Sequence, residues 1–111
     1  MTLVSVGLIG KKIKKICVLG HAGSGEYGQD IVCSSISTAV IMTANLLMSV
    51  DSSNIVISDE DKALIELEIK DLDNDFNILV LDNLYKTLLD LQSQYPKYLK
   101  IKFLKEEELS C

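Results

Sequence analysis

One histidine and one cysteine near the N-terminus are the residues of this chain that could do chemistry together. His21 is the only histidine in the 111 residues, and Cys33 follows it in a glycine-rich stretch, GHAGSGEYGQDIVC. A thiolate attacks carbonyl carbons, and an imidazole titrates in the range where it can take a proton from a thiol. The pair therefore has the composition of a nucleophile and its general base.

The predicted start of a helix supports this interpretation. Asp30 is a residue type that caps helices, and it precedes a segment without charged residues that runs from position 31 to position 50. A helix capped by Asp30 places Cys33 in its first turn, where the positive end of the helix dipole favours a thiolate. A mobile loop between the two side chains is predicted from its small residues, which are Gly20, Ala22, Gly23, Gly25 and Gly28.

The residue types alone leave three other interpretations open. Positions 23 to 28 match the dinucleotide-binding pattern G-x-G-x-x-G, but no parallel βαβ unit with an acidic residue at the required distance follows. A metal site of His21, Cys33 and Cys17 lacks Cys-x-x-Cys spacing and a fourth ligand, so no metal and no cofactor is expected. The third interpretation is a structural histidine and a buried cysteine.

The composition argues against nucleic acid and membranes as partners. The net charge is −5, whereas nucleic-acid binding requires a basic surface. Positions 31–50 are long enough to cross a bilayer, but seven polar residues and the absence of basic flanks favour a helix that the rest of the domain buries on most sides. Three cysteines without paired spacing predict free thiols, and no signal peptide is visible, so a cytoplasmic location is expected.

Hydrophobic periodicity predicts a single α+β domain over residues 1–111. Five strands are predicted, at 3–9, 13–19, 55–58, 63–70 and 99–103, and two helices at 31–50 and 76–94. Candidates for the N-cap of the second helix are Asp73, Asn74 and Asp75, and Pro96 ends it. The order ββαββαβ predicts a mostly antiparallel sheet of four to five strands with two helices packed on one face.

The residues around His21 and Cys33 resemble the signature of a known family. The matching positions are Gly20-His21-Ala22, Gly25, Gly28, Asp30-Ile31-Val32-Cys33 and Ser37. On this signature the chain is identified as a member of the ribosomal-processing cysteine protease family, Prp. The resemblance covers essentially the whole chain, and it departs from the family pattern at Ser34 and Ser35, where small apolar residues are usual.

The resemblance implies a cysteine protease that removes the N-terminal extension of large-subunit ribosomal protein 27 during ribosome assembly. By the same resemblance Cys33 is the nucleophile, His21 is the general base, the glycine-rich loop moves, and the protein is a homodimer. Asp30 would cap the helix or orient His21, and Ser37 would line the pocket or bond to the loop. The alternative function is a non-catalytic module that binds a nucleotide or a protein through the loop.

Overall fold

The computed structural model describes residues 1–20 and 27–104, and the backbone alone for residues 27–30. The elements follow the predicted order ββαββαβ. They are β1 (Thr2–Ile9), β2 (Lys12–Leu19), α1 (Tyr27–Val50), β3 (Ile55–Asp59), β4 (Leu64–Glu68), α2 (Asp75–Gln94) and β5 (Leu99–Leu104).

The five strands form one mixed sheet in the order β3-β4-β2-β1-β5. The pairs β1–β2, β2–β4 and β3–β4 are antiparallel, and β1–β5 is parallel. A parallel pair requires a crossover connection, and α2 is the element that carries the chain across the sheet before β5. The predicted mostly antiparallel α+β fold is therefore confirmed.

A tight turn joins β1 to β2 and sets their register. Ile9 pairs with Lys12, so the turn consists of Gly10 and Lys11. Gly10 has a φ of 62°, whereas Lys11 is not among the residues with positive φ. This pattern is typical of a type II′ hairpin, in which glycine takes the first central position because it has no Cβ to clash.

Both helices pack on the same face of the sheet, which confirms the predicted layers. The core consists of apolar side chains from that face and from one side of each helix, among them Val4, Val6, Ile16, Leu67, Val32, Ile36, Val40, Leu47, Leu81, Leu84 and Leu88. Burying each such side chain contributes about 1.5–3 kcal/mol as an upper estimate. β4 can contribute to this core because its side chains alternate strictly: Ile65 and Leu67 face the helices, while Glu66 and Glu68 face the other way.

The open face of the sheet carries paired charges. Lys15 of β2 is only 7% exposed and forms an ion pair with Glu66 of β4. Glu68 lies 3.8 Å from Lys14 and 3.1 Å from Lys70. A lysine can be buried this far because a carboxylate lies within contact of its ammonium group.

A polar network joins the end of α1 to the start of α2. The Asn77 side chain, which is fully buried, donates to Asp51 at 2.9 Å and accepts from Asn54 at 2.9 Å. Asn54 also donates to the carbonyl oxygen of Leu47, near the end of α1. These bonds occupy polar groups that would otherwise be costly to bury, so the network fixes the two helix ends relative to each other.

α1 buries one side only, and the prediction that it is buried on most sides is wrong. Leu47 is fully buried, whereas Ile41 and Met42 are 57% and 67% exposed. The segment Ile31–Val50 has the length and hydropathy of a membrane-crossing helix, a property that core helices of soluble proteins share. The sequence lacked the information to separate its sides because apolar residues occur all around this helix.

Candidate active site

Cys33 lies in α1 and carries a free thiol. Its side chain is half-buried, and the residues Val32 and Ile36, which come before and after it along the helix, belong to the core at 0% and 2% exposure. A nucleophile must be reachable and yet hold a fixed orientation. Cys33 meets both conditions because the core holds its neighbours in place while its own side chain remains partly accessible.

The helix begins earlier than the sequence predicted. α1 starts at Tyr27, so Asp30 lies inside it and is not the N-cap. Cys33 is consequently in the second turn, beyond the first turn where the dipole effect is concentrated. Gly28 and Asp30 are poor helix formers and favoured a later start, but each residue added to an existing helix gains a backbone hydrogen bond.

The chain enters the glycine-rich stretch from a fixed point. Gly20 has a φ of 79°, a conformation that favours glycine, and a Cβ at this position would lie 3.2 Å from the carbonyl oxygen of Met1. Its amide donates to the carbonyl oxygen of Ala63 at 3.0 Å. Backbone contacts therefore fix the position of Gly20 in this structure, and its membership of a mobile loop stays a prediction.

Several predicted site residues lie outside the described part of the chain. These are His21 and the loop residues Ala22, Gly23 and Gly25. Gly28 and Asp30 belong to the first turn of α1, where only the backbone is described. The pairing of His21 with Cys33 and the movement of the loop stay predictions.

Ser37 lies one turn after Cys33, as predicted, and is half-buried. With 3.6 residues per turn, the two side chains are separated by about 40° around the helix axis. Ala44, Met48 and Ile41 follow within about 20° to 80° of Cys33 by the same geometry. We call this set, Cys33, Ser37, Ile41, Ala44 and Met48, the Cys33 side of α1. The sequence analysis did not single out Ile41 or Met48, although the absence of charge from this segment was the available signal.

A groove of about 540 Å³ lies between α1 and α2 and is lined by uncharged side chains, Ser34, Ser35, Thr38, Ala39, Met42, Thr43, Asn83, Leu84 and Thr87. A second cavity of about 340 Å³ shares Met42 and Asn83 with it and extends to Leu46 and Leu79. Met42 lies about 180° from Cys33 around the helix axis, and Leu46 about 140°. The α1–α2 groove thus opens on the side of α1 away from the thiol.

Cys17 does not have the free thiol that was predicted, because it is disulfide-bonded in this structure. A disulfide sulfur is not the thiolate that binds zinc, so Cys17 does not fit the metal site considered with His21 and Cys33. Within residues 1–20 and 27–104, no group of three metal-ligating side chains lies close enough to hold an ion.

The strand order also disfavours the dinucleotide-binding interpretation. β2 precedes the glycine-rich stretch, and its two neighbours in the sheet, β1 and β4, are both antiparallel to it. Dinucleotide-binding domains place the glycine-rich turn between adjacent parallel strands of a doubly wound sheet. The match at positions 23–28 is therefore a coincidence of composition.

Known proteins share both the sequence pattern and this fold. The family model described as cysteine protease Prp matches residues 1–100. The ribosomal processing cysteine protease Prp of Staphylococcus aureus strain Mu50 is 26% identical over 93 residues, which cover 83% of this chain and 88% of that protein.

Solved structures of similar proteins support the fold. The S. aureus protease Prp in complex with a substrate peptide superposes with a TM-score of 0.86 at 23% identity, covering 94% of this chain and 100% of that one. A protein from Streptococcus mutans gives a TM-score of 0.85 at 23% identity, with 96% of each chain covered. Because the family model spans nearly the whole sequence, the chain belongs to the Prp family of cysteine proteases.

Proposed function

We propose that this protein is the endopeptidase that removes the N-terminal extension of large-subunit ribosomal protein 27, with Cys33 as nucleophile and His21 as general base. The observation that carries the proposal is the free, half-buried thiol of Cys33 on α1 in a chain of this family. The S. aureus relative is named a ribosomal processing protease, and its crystal structure contains a substrate peptide.

The two side chains divide the chemistry of peptide cleavage. His21 takes the thiol proton, and the Cys33 sulfur attacks the scissile carbonyl carbon. The imidazolium then protonates the leaving amine, which leaves a thioester that water hydrolyses. Backbone amides in the first turn of α1 are the candidate donors to the oxyanion, since the first amides of a helix have no partner within it.

Mass spectrometry tests the proposal directly. The purified protein is incubated with the extended form of the ribosomal protein, and the masses of the products locate the cut. We expect one cleavage near the N-terminus and none with the Cys33→Ala variant. Binding of the ribosomal protein without any cleavage would instead favour the alternative function, a non-catalytic binding module.

His21 requires a separate measurement. The His21→Ala variant should lose turnover, and alkylation of Cys33 by iodoacetamide should slow because an imidazolium nearby favours the thiolate. Normal alkylation together with normal cleavage would leave His21 with a structural role only.

Electrostatic steering should contribute to substrate encounter. The chain carries a net charge of −5, and a ribosomal protein that binds RNA is expected to be basic. Raised salt should therefore slow cleavage of the full-length substrate more than cleavage of a short neutral peptide across the cut. Equal slowing of both substrates would contradict the steering argument.

The homodimer is also part of the proposal, together with a cytoplasmic location. Phe76 and Leu79 of α2 support the homodimer, since both are more than 60% exposed and lie one turn apart on the helix. Contiguous exposed apolar side chains of this kind commonly mark interfaces. Sedimentation of the wild type and of the Phe76→Ser, Leu79→Ser double variant tests the point, and a monomeric wild type would refute it.

A further inference from the structure

A groove lies on the face of the sheet opposite α1 and α2. It has a volume of about 260 Å³ and is lined by side chains of four strands, β1, β2, β4 and β5, among them Leu3, Leu19, Leu64 and Leu104. Leu3 and Leu19 are 42% and 41% exposed, so the neighbouring side chains of the sheet do not cover them. Exposed apolar side chains that lie together commonly mark the place where another segment of chain binds.

Cys17 lines the same groove and is disulfide-bonded. It lies in β2 between Ile16 and Val18, which belong to the core, so its own side chain points to the opposite face of the sheet. The sequence contains three cysteines, and Cys33 has a free thiol. Cys111 is therefore the one cysteine of the chain that can be the partner of Cys17.

We propose that this groove binds the C-terminal segment, residues 105–111, and that a reversible disulfide between Cys17 and Cys111 holds the segment there. Disulfide-bonded residues have Cα atoms about 4.4–6.8 Å apart, so a bond to Cys17 requires position 111 to lie over this face of the sheet. The groove is a second site, separate from Cys33, and its occupancy does not depend on the proposed protease function.

The C-terminal segment is long enough to reach Cys17 from the end of β5. Ser5 of β1 pairs with Lys102 of β5 on one side and with Cys17 of β2 on the other. Leu104, the last residue of β5, therefore lies two strand spacings across the sheet and two residues along it from Cys17, a distance of about 12 Å. Seven extended residues span up to about 23 Å, which leaves enough chain to turn back over the groove.

The charges of the C-terminal segment and of the groove are opposite. The segment has the sequence KEEELSC, which includes three consecutive glutamates. Lys62 and Lys102 line the groove, and within residues 1–20 and 27–104 neither ammonium group forms an ion pair. Glu66 and Glu68 face the same side of the sheet, but lysines of β2 pair with both. An acidic segment is therefore attracted to this groove.

Thiol–disulfide exchange with a small-molecule thiol closes and opens the bond. In closure a disulfide RSSR is the oxidant: its S–S bond breaks, the S–S bond between Cys17 and Cys111 forms, and the two cysteine thiol protons leave on two molecules of RSH. Opening is the reverse, in which two molecules of RSH supply two electrons and two protons to the two cysteine sulfurs. In a reducing compartment such a disulfide is transient, which suits a segment that binds and is released.

Digestion at glutamate maps the bond, because it separates the three cysteines. Complete cleavage after glutamate gives, among others, the fragments 1–26, 27–60 and 109–111, each with one cysteine. The purified protein is treated with oxidised glutathione, free thiols are blocked with N-ethylmaleimide, and the digest is read by mass spectrometry without reduction. We expect fragment 1–26 linked to 109–111, with 27–60 linked to neither. After dithiothreitol all three fragments should carry maleimide.

The thermal midpoint measures what the bond does to the folded chain. Oxidation should raise it by about 10 °C, because a disulfide between positions 17 and 111 closes nearly the whole chain into a loop, and long loops give the larger gain. Cys111→Ser should melt like the reduced wild type, with and without oxidised glutathione. Ser110→Ala, the matched control at the adjacent position, should keep the difference between the oxidised and reduced proteins.

Charge reversal separates binding in the groove from the bond alone. Lys102→Glu should slow closure of the disulfide about two- to fivefold at low salt, because it replaces an attraction for the glutamates by a repulsion. Lys86→Glu makes the same change of charge at an exposed position of α2, on the other face of the sheet, and should close at the wild-type rate.

Four results would overturn the inference. A covalent dimer linked through Cys17 would make a second copy of the chain the occupant of the groove. Fragment 1–26 linked to 27–60, or three free thiols after treatment with oxidised glutathione, would remove the bond to Cys111. Equal rates of closure for Lys102→Glu and Lys86→Glu would mean that the C-terminal segment does not bind in the groove. Failure of the proposed function is recognised separately, as absence of cleavage by the reduced protein.

Discussion

The two helices are similar in length, 24 and 20 residues, and pack on the same face of the sheet, yet they present different surfaces to solvent. α2 has a side-chain N-cap and charged residues on its exposed side, and its buried residues follow helical spacing. α1 has no charged residue from position 31 to position 50, and several of its exposed positions are apolar, namely Ile41, Met42, Leu46 and Met48. Phe76 and Leu79 of α2 are exposed apolar residues as well, but charged residues flank them along that helix, whereas positions 31–50 of α1 have no charged residue and several exposed apolar ones, which contribute little to the fold.

The proposed nucleophile, Cys33 of α1, gives the largest expected effect of a substitution on the rate of cleavage. Replacing Cys33 of α1 by alanine or serine should lower the rate of cleavage by about 10⁴-fold or more, because removal of a catalytic nucleophile has effects of this size. The thermal midpoint should hardly change, since both replacements are close in volume. Ser34→Ala, the adjacent and exposed position, is the control and should cleave normally. Cleavage by Cys33→Ala would refute the assignment.

Asn77 of α2 should behave in the opposite way, with a large effect on stability. Asn77→Ala removes one hydrogen bond from the buried side chain of Asn54 and one from Asp51, and it leaves a gap where the buried amide was, which should lower the free energy of unfolding by about 2–3 kcal/mol. Urea denaturation measures this change. Asn83→Ala on the exposed side of the same helix is the control and should change stability by less than about 0.5 kcal/mol. Equal losses in both variants would mean that the network does not stabilise the helix ends.

The N-cap of α2 should have an intermediate effect. The Asn74 side chain accepts hydrogen bonds from the amides of Phe76 and Asn77 at 3.0 and 3.3 Å. Asn74→Ala should lower the free energy of unfolding by about 1 kcal/mol, whereas Asn74→Asp should keep it because aspartate caps as well. Denaturation of the three proteins in parallel measures the difference. If Asn74→Asp lost as much as Asn74→Ala, the capping hydrogen bonds would not be the cause.

Asp51, after the end of α1, should give the smallest effect. Hydrogen bonds from Ser53 and Asn77 lower the pKa of the Asp51 carboxyl below its ordinary value of 3.8. A carboxyl whose pKa is lower in the folded state contributes stability above pH 3.8, and that stability is lost as the pH falls through the folded pKa. Stability should therefore fall less steeply between pH 5 and pH 2 for Asp51→Asn than for the wild type, as denaturation at each pH would show. If the stability of the two proteins fell equally steeply with falling pH, the pKa of the Asp51 carboxyl would not be lowered by folding.

Local patterns explain why much of the fold could be predicted. Side chains alternate in β4 and repeat with helical spacing in α2, and the three short polar residues before α2 included its N-cap, which the structure shows to be Asn74. Each of these signals depends on neighbours within a few residues, which the sequence displays directly. The same holds for Cys33, whose residue type and family signature stand in the sequence. The catalytic roles of Cys33 and His21 and the role of Asp30 stay predictions.

Contacts between distant residues decided the rest. The parallel pairing of β5 with β1 and the buried amide of Asn77 depend on partners far along the chain, and the start of α1 at Tyr27 depends on cooperative helix growth. The spacing of the cysteines gave no sign of the disulfide of Cys17. α1 shows the limit most clearly. Apolar residues occur on nearly all sides of this helix, so their spacing does not predict which side is buried. Packing against α2 and the sheet alone determines which residues are buried and which remain exposed.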